Sequence, residues 1–208
     1  MISKEQMMEE QLINRNIRDV AVLEAMDKVD RTLFVPEDLK DQAYEDGPLP
    51  IGQSQTISQP YIVAYMAEQL ELNEDSKVLE IGTGCGYNAA VLAEIASEVY
   101  TIEIVEWLAE LAMDNLKVAG TTNVHAKYGD GYRGWPEHAP YDAIVLTAAP
   151  NKIPEPLKLQ LKTGGVLVAP IGSGSQKLVK LKRTGQDSFE EETVMMVRFV
   201  PMTGEAQE

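Results

Sequence analysis

Cysteine is nearly absent from this chain: one residue, at position 85, among 208. A lone thiol excludes an internal disulfide and any cysteine-rich metal site. Histidine is almost as scarce. His125 and His138 lie far from each other and from any carboxylate pair with ligand spacing, so no metal is assigned. Positive charge is in deficit, with 18 Lys and Arg against 33 Asp and Glu, a net charge of −15. A surface that tracks phosphates needs a basic stripe, so nucleic acid is not an expected partner. The surplus acid is expected on solvated helix faces. No apolar run approaches the ~20 residues of a membrane span. The charged N-terminus also lacks the roughly 7–15-residue apolar stretch of a signal peptide. The expected location is therefore cytoplasmic, with no membrane partner. Aromatics make up only 6% of the chain, yet a hydrophobic content of 44% is enough for the core of one domain, residues 1–208.

Two amphipathic helices open the chain. Met8 and Leu12 mark the first; Val22, Leu23, Met26 and Val29 share one face of the second, after a cap at Asp19. Residues 31 to 60 turn irregular, with Pro36, Pro48, Pro50 and Pro60 interrupting any helix. A helix is expected from about Pro60 to Leu70, with Val63, Met66, Ala67 and Leu70 as its apolar stripe. From Lys77 onward strand and helix alternate. The expected strands are 77–81, 98–104, 124–128, 143–147 and 166–170, separated mostly by helices near 88–96, 105–119 and 155–161. Near-continuous apolar strands of this kind belong to a parallel sheet covered on both faces. Segments 177–183 and 193–201 lack a helix-length spacer, so they are expected to form an antiparallel hairpin. The predicted fold class is α/β: a doubly wound, mostly parallel, Rossmann-like sheet with an antiparallel C-terminal strand pair and N-terminal helices. Residues 1–60 would supply a substrate-side segment and residues 61–208 a cofactor-binding core.

The densest signal is Glu80-Ile81-Gly82-Thr83-Gly84-Cys85-Gly86-Tyr87, a strand running into a glycine turn with a helix behind it. Glycines at alternate positions let backbone approach a ligand closely. The spacing differs from the dinucleotide fingerprint G-x-G-x-x-G, because the third glycine comes one residue early. With Glu80 in front, the pattern resembles the first motif of S-adenosylmethionine-dependent methyltransferases. Glu103 ends the second strand about twenty residues beyond the first glycine, where a carboxylate can accept from both ribose hydroxyls of an adenosine. Asp130-Gly131 closes the third strand; the acid can accept from an adenine amine while the glycine lets the ring lie against backbone. Glu80 is expected at the sulfonium and amino-acid end, directly, through water, or only as a support of the loop. Cys85 is read as a small turn residue and not a nucleophile, having no His near it.

The segment Pro50 to Pro60 is polar and aperiodic, able to line a cleft without adding charge. Ser58 can be a helix N-cap before Pro60, an active-site residue, or both. Within it, Gln55-Thr56-Ile57-Ser58-Gln59-Pro60 resembles the signature of protein-L-isoaspartate O-methyltransferases. In order, Leu79 to Tyr87, Asp130-Gly131 with Gly134, Ala139-Pro140-Tyr141-Asp142-Ala143-Ile144, Thr147-Ala148-Ala149-Pro150, Gly164-Gly165 and Val197-Arg198-Phe199-Val200-Pro201 extend the likeness over nearly the whole chain. Gln53-Ser54 departs from it, standing where a glycine-containing pair is common, as does Cys85 where Ser is common. The resemblance implies a class I methyltransferase fold and transfer of the methyl of S-adenosylmethionine to the free α-carboxylate of L-isoaspartyl residues. The product is S-adenosylhomocysteine, and the ester collapses to a succinimide that returns some normal aspartate. It also implies Ser58 as the active-site residue, with Thr56 and Ile57 bordering the substrate groove. Glu80, Gly82, Thr83, Gly84, Gly86, Tyr87, Glu103, Asp130, Gly131 and Thr147 would hold the cofactor, and isoaspartyl proteins and peptides would be the partners of a monomer.

Two other readings are open. A related methyltransferase could act on RNA or a small metabolite. The acidic balance weighs against RNA, as does Thr147-Ala148-Ala149-Pro150 in place of the Asn/Asp-Pro-Pro-aromatic element that grips base amines. A non-catalytic nucleotide-binding module would make Ser58 a pure cap. Thr203, past the last strand, is expected to reach the site from the C-terminal tail.

Overall fold

The computed structural model describes residues 1–207. Its centre is a seven-stranded sheet ordered β5-β4-β3-β6-β7-β8-β9. Strands β3 (Lys77–Ile81), β4 (Glu98–Glu103), β5 (Val124–Tyr128), β6 (Tyr141–Leu146) and β7 (Leu161–Ile171) are parallel; β8 (Gln176–Arg183) and β9 (Phe189–Val197) complete it antiparallel. β3 lies between β4 and β6, with Leu79 opposite both Tyr100 and Ile144.

The apolar strands are explained by burial on both faces. Val78, Val99, Ala143, Val145 and Val168 point to one side, Leu79, Ile81, Ile102, Ile144 and Leu146 to the other, and each set belongs to its own core. Each fully buried aliphatic side chain contributes about 1.5–3 kcal/mol. Helices α2 (Val20–Lys28), α3 (Pro60–Gln69) and α4 (Tyr87–Ala93), with Leu108 and Leu116 of α5 (Glu106–Val118), pack on the first side. Leu157 of α6 (Glu155–Gln160) packs on the second. Asp19 caps α2 by accepting from Ala21 and Val22 N–H, and Val63, Met66, Ala67 and Leu70 are buried as the periodicity requires.

Four features differ from the sequence reading, the simplest being that β9 (Phe189–Val197) lies four residues earlier than the expected 193–201. The first helix is α1 (Lys4–Gln6) continued as a π-type coil over Met7–Leu12, which buries Met7 and Leu12 and leaves Met8 half-buried. The irregular region holds a hairpin, β1 (Leu49–Gly52) and β2 (Gln55–Ile57), joined by Gln53 and Ser54. β7 starts at Leu161, five residues early, with Tyr141 opposite Leu161 and a bulge before Ala143 pairs with Val166. The sheet order reverses between β3 and β6, and their carboxyl ends open on the crevice where such sheets bind ligands.

Candidate active site

The crevice is a cleft of about 880 Å³, the open solvent at its mouth included. The ends of β3, β4 and β6 and the turn after β5 build it, lining it with Gly82–Cys85, Ile102–Val105, Asp130, Gly131 and Thr147. Its edge is made by Thr56, Ile57 and Ser58 from the hairpin side, and by Met202 and Thr203 from the C-terminal tail. A second, wider groove runs past Arg15, Tyr61, Met195–Val200, Thr56 and Ser58. Thr56, Ser58, Thr147 and Val200 belong to both walls, so the two spaces adjoin at those residues.

The glycine turn is shaped by close approach. Gly82 has φ 97°, and a Cβ there would overlap the Thr147 hydroxyl. That hydroxyl donates to the Gly82 carbonyl at 2.5 Å, locking the end of β6 to the turn. Glu103, 6% exposed, accepts from Gly84 N–H at 2.8 Å through Oε2 and from Val105 N–H at 3.0 Å through Oε1. Its orientation is fixed by these two bonds, and it lines the cavity. Asp130 is held alike, Oδ1 accepting from Tyr132 N–H at 2.9 Å and Oδ2 from Glu205 N–H at 2.8 Å. Gly131 lines the cavity and leaves no room for a side chain, because a Cβ there would overlap Ile81. Ile102, Ile104, Val105 and Leu108 add an apolar wall.

Glu80 lies elsewhere. It is fully buried beneath the turn, outside the cavity wall, and accepts from Asn88 Nδ2 at 2.7 Å and Thr101 Oγ1 at 2.6 Å. Thr101 in turn meets the Thr83 hydroxyl at 2.7 Å. Through these bonds Glu80 supports the loop from beneath. Burial pushes its carboxyl up to about 7, against the bonds from Thr101 and Asn88 that favour the charge. Cys85 is 3% exposed, and burial pushes its thiol up to about 11, leaving it neutral and unreactive. Gly86 begins α4 at φ 92°, and Tyr87 is buried with its hydroxyl near Met26 Sδ.

On the acceptor side, Thr56 is exposed, Ile57 buried and Ser58 half-buried. Ser58 is not the helix cap: Gln59 occupies that position, and the Ser58 hydroxyl has no hydrogen-bond partner among the described residues. A polar group left open at the junction of two cavities is available to a ligand. Gly52 of β1 runs under the ring of Trp107 on α5, where a Cβ would come within 3.1 Å, so the hairpin leans on the cofactor half.

The donor set suits an adenosine-like ligand bearing a cation: two oriented carboxylates at strand ends, a bare glycine backbone and an apolar wall between them. Thr203 reaches the cavity from the C-terminal tail as expected, and Val200-Pro201, matched in the sequence only as a family motif, lie in the wall beside it. Met202 and Arg31 are the residues that the sequence does not single out. The tail is bonded to distant parts, Met202 N–H to Ala149 O and Glu205 to Asp130 and Arg133, and no local pattern announces this.

Comparisons agree with this geometry. The model of the family "protein-L-isoaspartate(D-aspartate) O-methyltransferase (PCMT)" matches residues 2–207. A protein-L-isoaspartate O-methyltransferase of Picosynechococcus sp. is 55% identical over 201 residues, 97% of this chain and 90% of that protein. One from Opitutus terrae is 57% identical over 205 residues, 97% and 87% of the two chains. Among solved structures, one named protein-L-isoaspartate O-methyltransferase superimposes with a TM-score of 0.90 at 30% identity, covering 98% of this chain and 67% of that one. Another, from Plasmodium falciparum and described as a complex with S-adenosyl-L-homocysteine, shares the fold with a TM-score of 0.85 at 24% identity, covering 98% and 99%.

Proposed function

The chain belongs to the protein-L-isoaspartate(D-aspartate) O-methyltransferase family, and from that premise we propose that its two adjoining cavities divide one reaction between them. The enzyme transfers the methyl group of S-adenosylmethionine to the free α-carboxylate of L-isoaspartyl residues in damaged proteins, initiating repair through a succinimide. When bound, S-adenosylmethionine supplies an electrophilic methyl on a positively charged sulfur. Residues 61–208 form the donor half of a single domain: Gly82, Thr83 and Gly84 as the turn, continued by Gly86 at the start of α4 outside the cavity wall, Glu103 toward ribose, Asp130 and Gly131 toward adenine, with Tyr87 and Thr147 bracing the wall. Residues 1–60 form the acceptor half.

No general base is needed, because a carboxylate of pKa ~4 is already ionised at neutral pH. Alignment is the task, and it can supply ~7–11 kcal/mol. Ser58 donates its free hydroxyl to the acceptor carboxylate and orients it, while Thr56 and Ile57 border the approach. Small, uncharged Thr147-Ala148-Ala149 opposite suit an acceptor that brings its own charge. The observation that carries this reading is the unpartnered Ser58 hydroxyl on the wall common to both cavities.

The finer expectations belong to the same reading: a monomer in the cytoplasm, with neither nucleic acid nor membrane as partner. A net charge of −15 supports the second, and no helix among the described residues is long and apolar enough to cross a membrane. The test is transfer of labelled methyl to an isoaspartyl peptide against its normal aspartyl twin. Label on the isoaspartyl peptide alone is expected; intact cofactor binding without transfer would leave a metabolite methyltransferase or a nucleotide sensor.

A further inference from the structure

We propose that Arg31 is a positioning residue for the anionic acceptor: a buried cation with no counter-anion, set directly behind Ser58. The inference rests on the reading of Ser58 as the acceptor-side residue. Arg31 is fully buried, and it reaches across 27 residues to donate from Nη2 to the Ser58 carbonyl at 2.8 Å. Its Nε donates to the Ala43 carbonyl at 2.6 Å, and its Nη1 has no partner. The guanidinium lies 4.8 Å from the ring centroid of Tyr87, the residue that follows the glycine turn. One side chain therefore ties the acceptor segment to the donor loop.

The charge is uncompensated. Among the described residues no carboxylate oxygen comes within 4.0 Å of Arg31. The acidic groups that face it are Cys85, Tyr87 and Tyr44, and burial raises all three, so each is neutral at physiological pH. Its neighbour Asp30 is engaged elsewhere, accepting from Thr32 and from the Tyr44 hydroxyl. Burying an unpaired cation is costly, and two carbonyls and an aromatic face offset only part of that cost. Guanidinium stays protonated even where burial lowers its pKa, so the charge cannot be shed by titration.

The other cations of the groove are poor substitutes. Arg15 is paired with Asp46 at 2.9 Å and lies over Tyr61, and Arg198 is exposed, where salt screens it. A molecule of net charge −15 repels an anionic acceptor on average. A cation held in low dielectric acts across the Ser58 peptide with little screening and offsets that repulsion where the carboxylate must sit.

The test compares Arg31→Gln and Arg31→Lys in the whole protein. Readouts are kcat and KM for an isoaspartyl peptide, competitive inhibition by its uncharged α-amide twin, S-adenosylhomocysteine affinity by calorimetry, and Tm. Arg31→Gln is expected to raise KM about tenfold or more and erase the preference for the charged peptide, with product affinity within about twofold. Arg31→Lys, which keeps the charge, is expected to recover most of that preference. Equal losses in both variants, or product affinity falling in step with KM, would reduce Arg31 to a packing role and overturn the proposal. Should neither variant fold, Arg15→Gln and Arg198→Gln decide: charge preference retained in both supports Arg31, and its loss in either overturns it. A Ser58→Ala enzyme with unaltered turnover would instead sink the reading of Ser58, whatever Arg31 does.

Discussion

Ser58 and Glu80 show two opposite uses of a polar side chain near the same ligand. The Ser58 hydroxyl has no partner among the described residues, and in the proposed reading the substrate becomes one. A hydrogen bond to a charged group is worth about 1.5–3 kcal/mol. Ser58→Ala should therefore lower turnover about 10- to 100-fold, with S-adenosylhomocysteine affinity unchanged in calorimetry; a parallel loss of affinity would make Ser58 structural. Glu80 is fully satisfied but dry. Its carboxyl titrates near 7 in the folded chain against an ordinary 4.5, because burial disfavours the charge. The folded state thus holds an extra proton between those values, so this residue's contribution to stability is complete below about 4.5 and is lost as pH rises through about 7. Glu80→Gln removes the titration. The ligand-free variant should gain Tm relative to wild type progressively from about pH 5 to about pH 8; a difference independent of pH would contradict the buried charge.

Among the elements, those with a one-dimensional signature were legible in the chain. β3, β4 and β6 announced themselves by apolar runs because both sheet faces are covered, and Asp19 marked the start of α2. Glu103 could be placed at a strand end for the same reason, whereas Asp130 follows β5, a half-exposed edge strand, and was marked by its Asp-Gly turn. The β1–β2 hairpin could not, because Gln53 and Ser54 adopt φ 53° and 59° without the Asn-Gly or Asp-Gly pair that normally signals a two-residue turn. Pro50 within β1 obscured it further. Left-handed conformations strain ordinary residues, so Gln53→Asn with Ser54→Gly should stabilise the protein by about 1 kcal/mol. A higher urea midpoint at unchanged slope would show it; a lower midpoint would mean that the turn is held by contacts its side chains make. Arg31 was illegible for a different reason. Nothing local distinguishes it from a surface arginine until the fold brings Ala43, Ser58 and Tyr87 around it.

At the scale of the molecule, the site is assembled from both ends of the chain. The tail after β9 crosses back to the cofactor cavity, pairs Pro201 with Ala149, buries Met202 and gives the Glu205 N–H to Asp130. Burial of one methionine is worth about 1.5–3 kcal/mol, and the Arg133–Glu205 pair, being exposed, adds little. Ending the chain at Phe199 should weaken S-adenosylhomocysteine binding about tenfold or more, whereas Glu205→Ala alone should change it less than about threefold; calorimetry on both separates the covering segment from its ion pair. The contact between Gly52 and Trp107 has a practical consequence of its own. An indole half in water rests on the hairpin that leads to Ser58, so in a Trp135→Phe variant a shift of that hairpin is expected to alter its emission. The protein carries a built-in optical gauge of whether its two halves are engaged, with no dye attached.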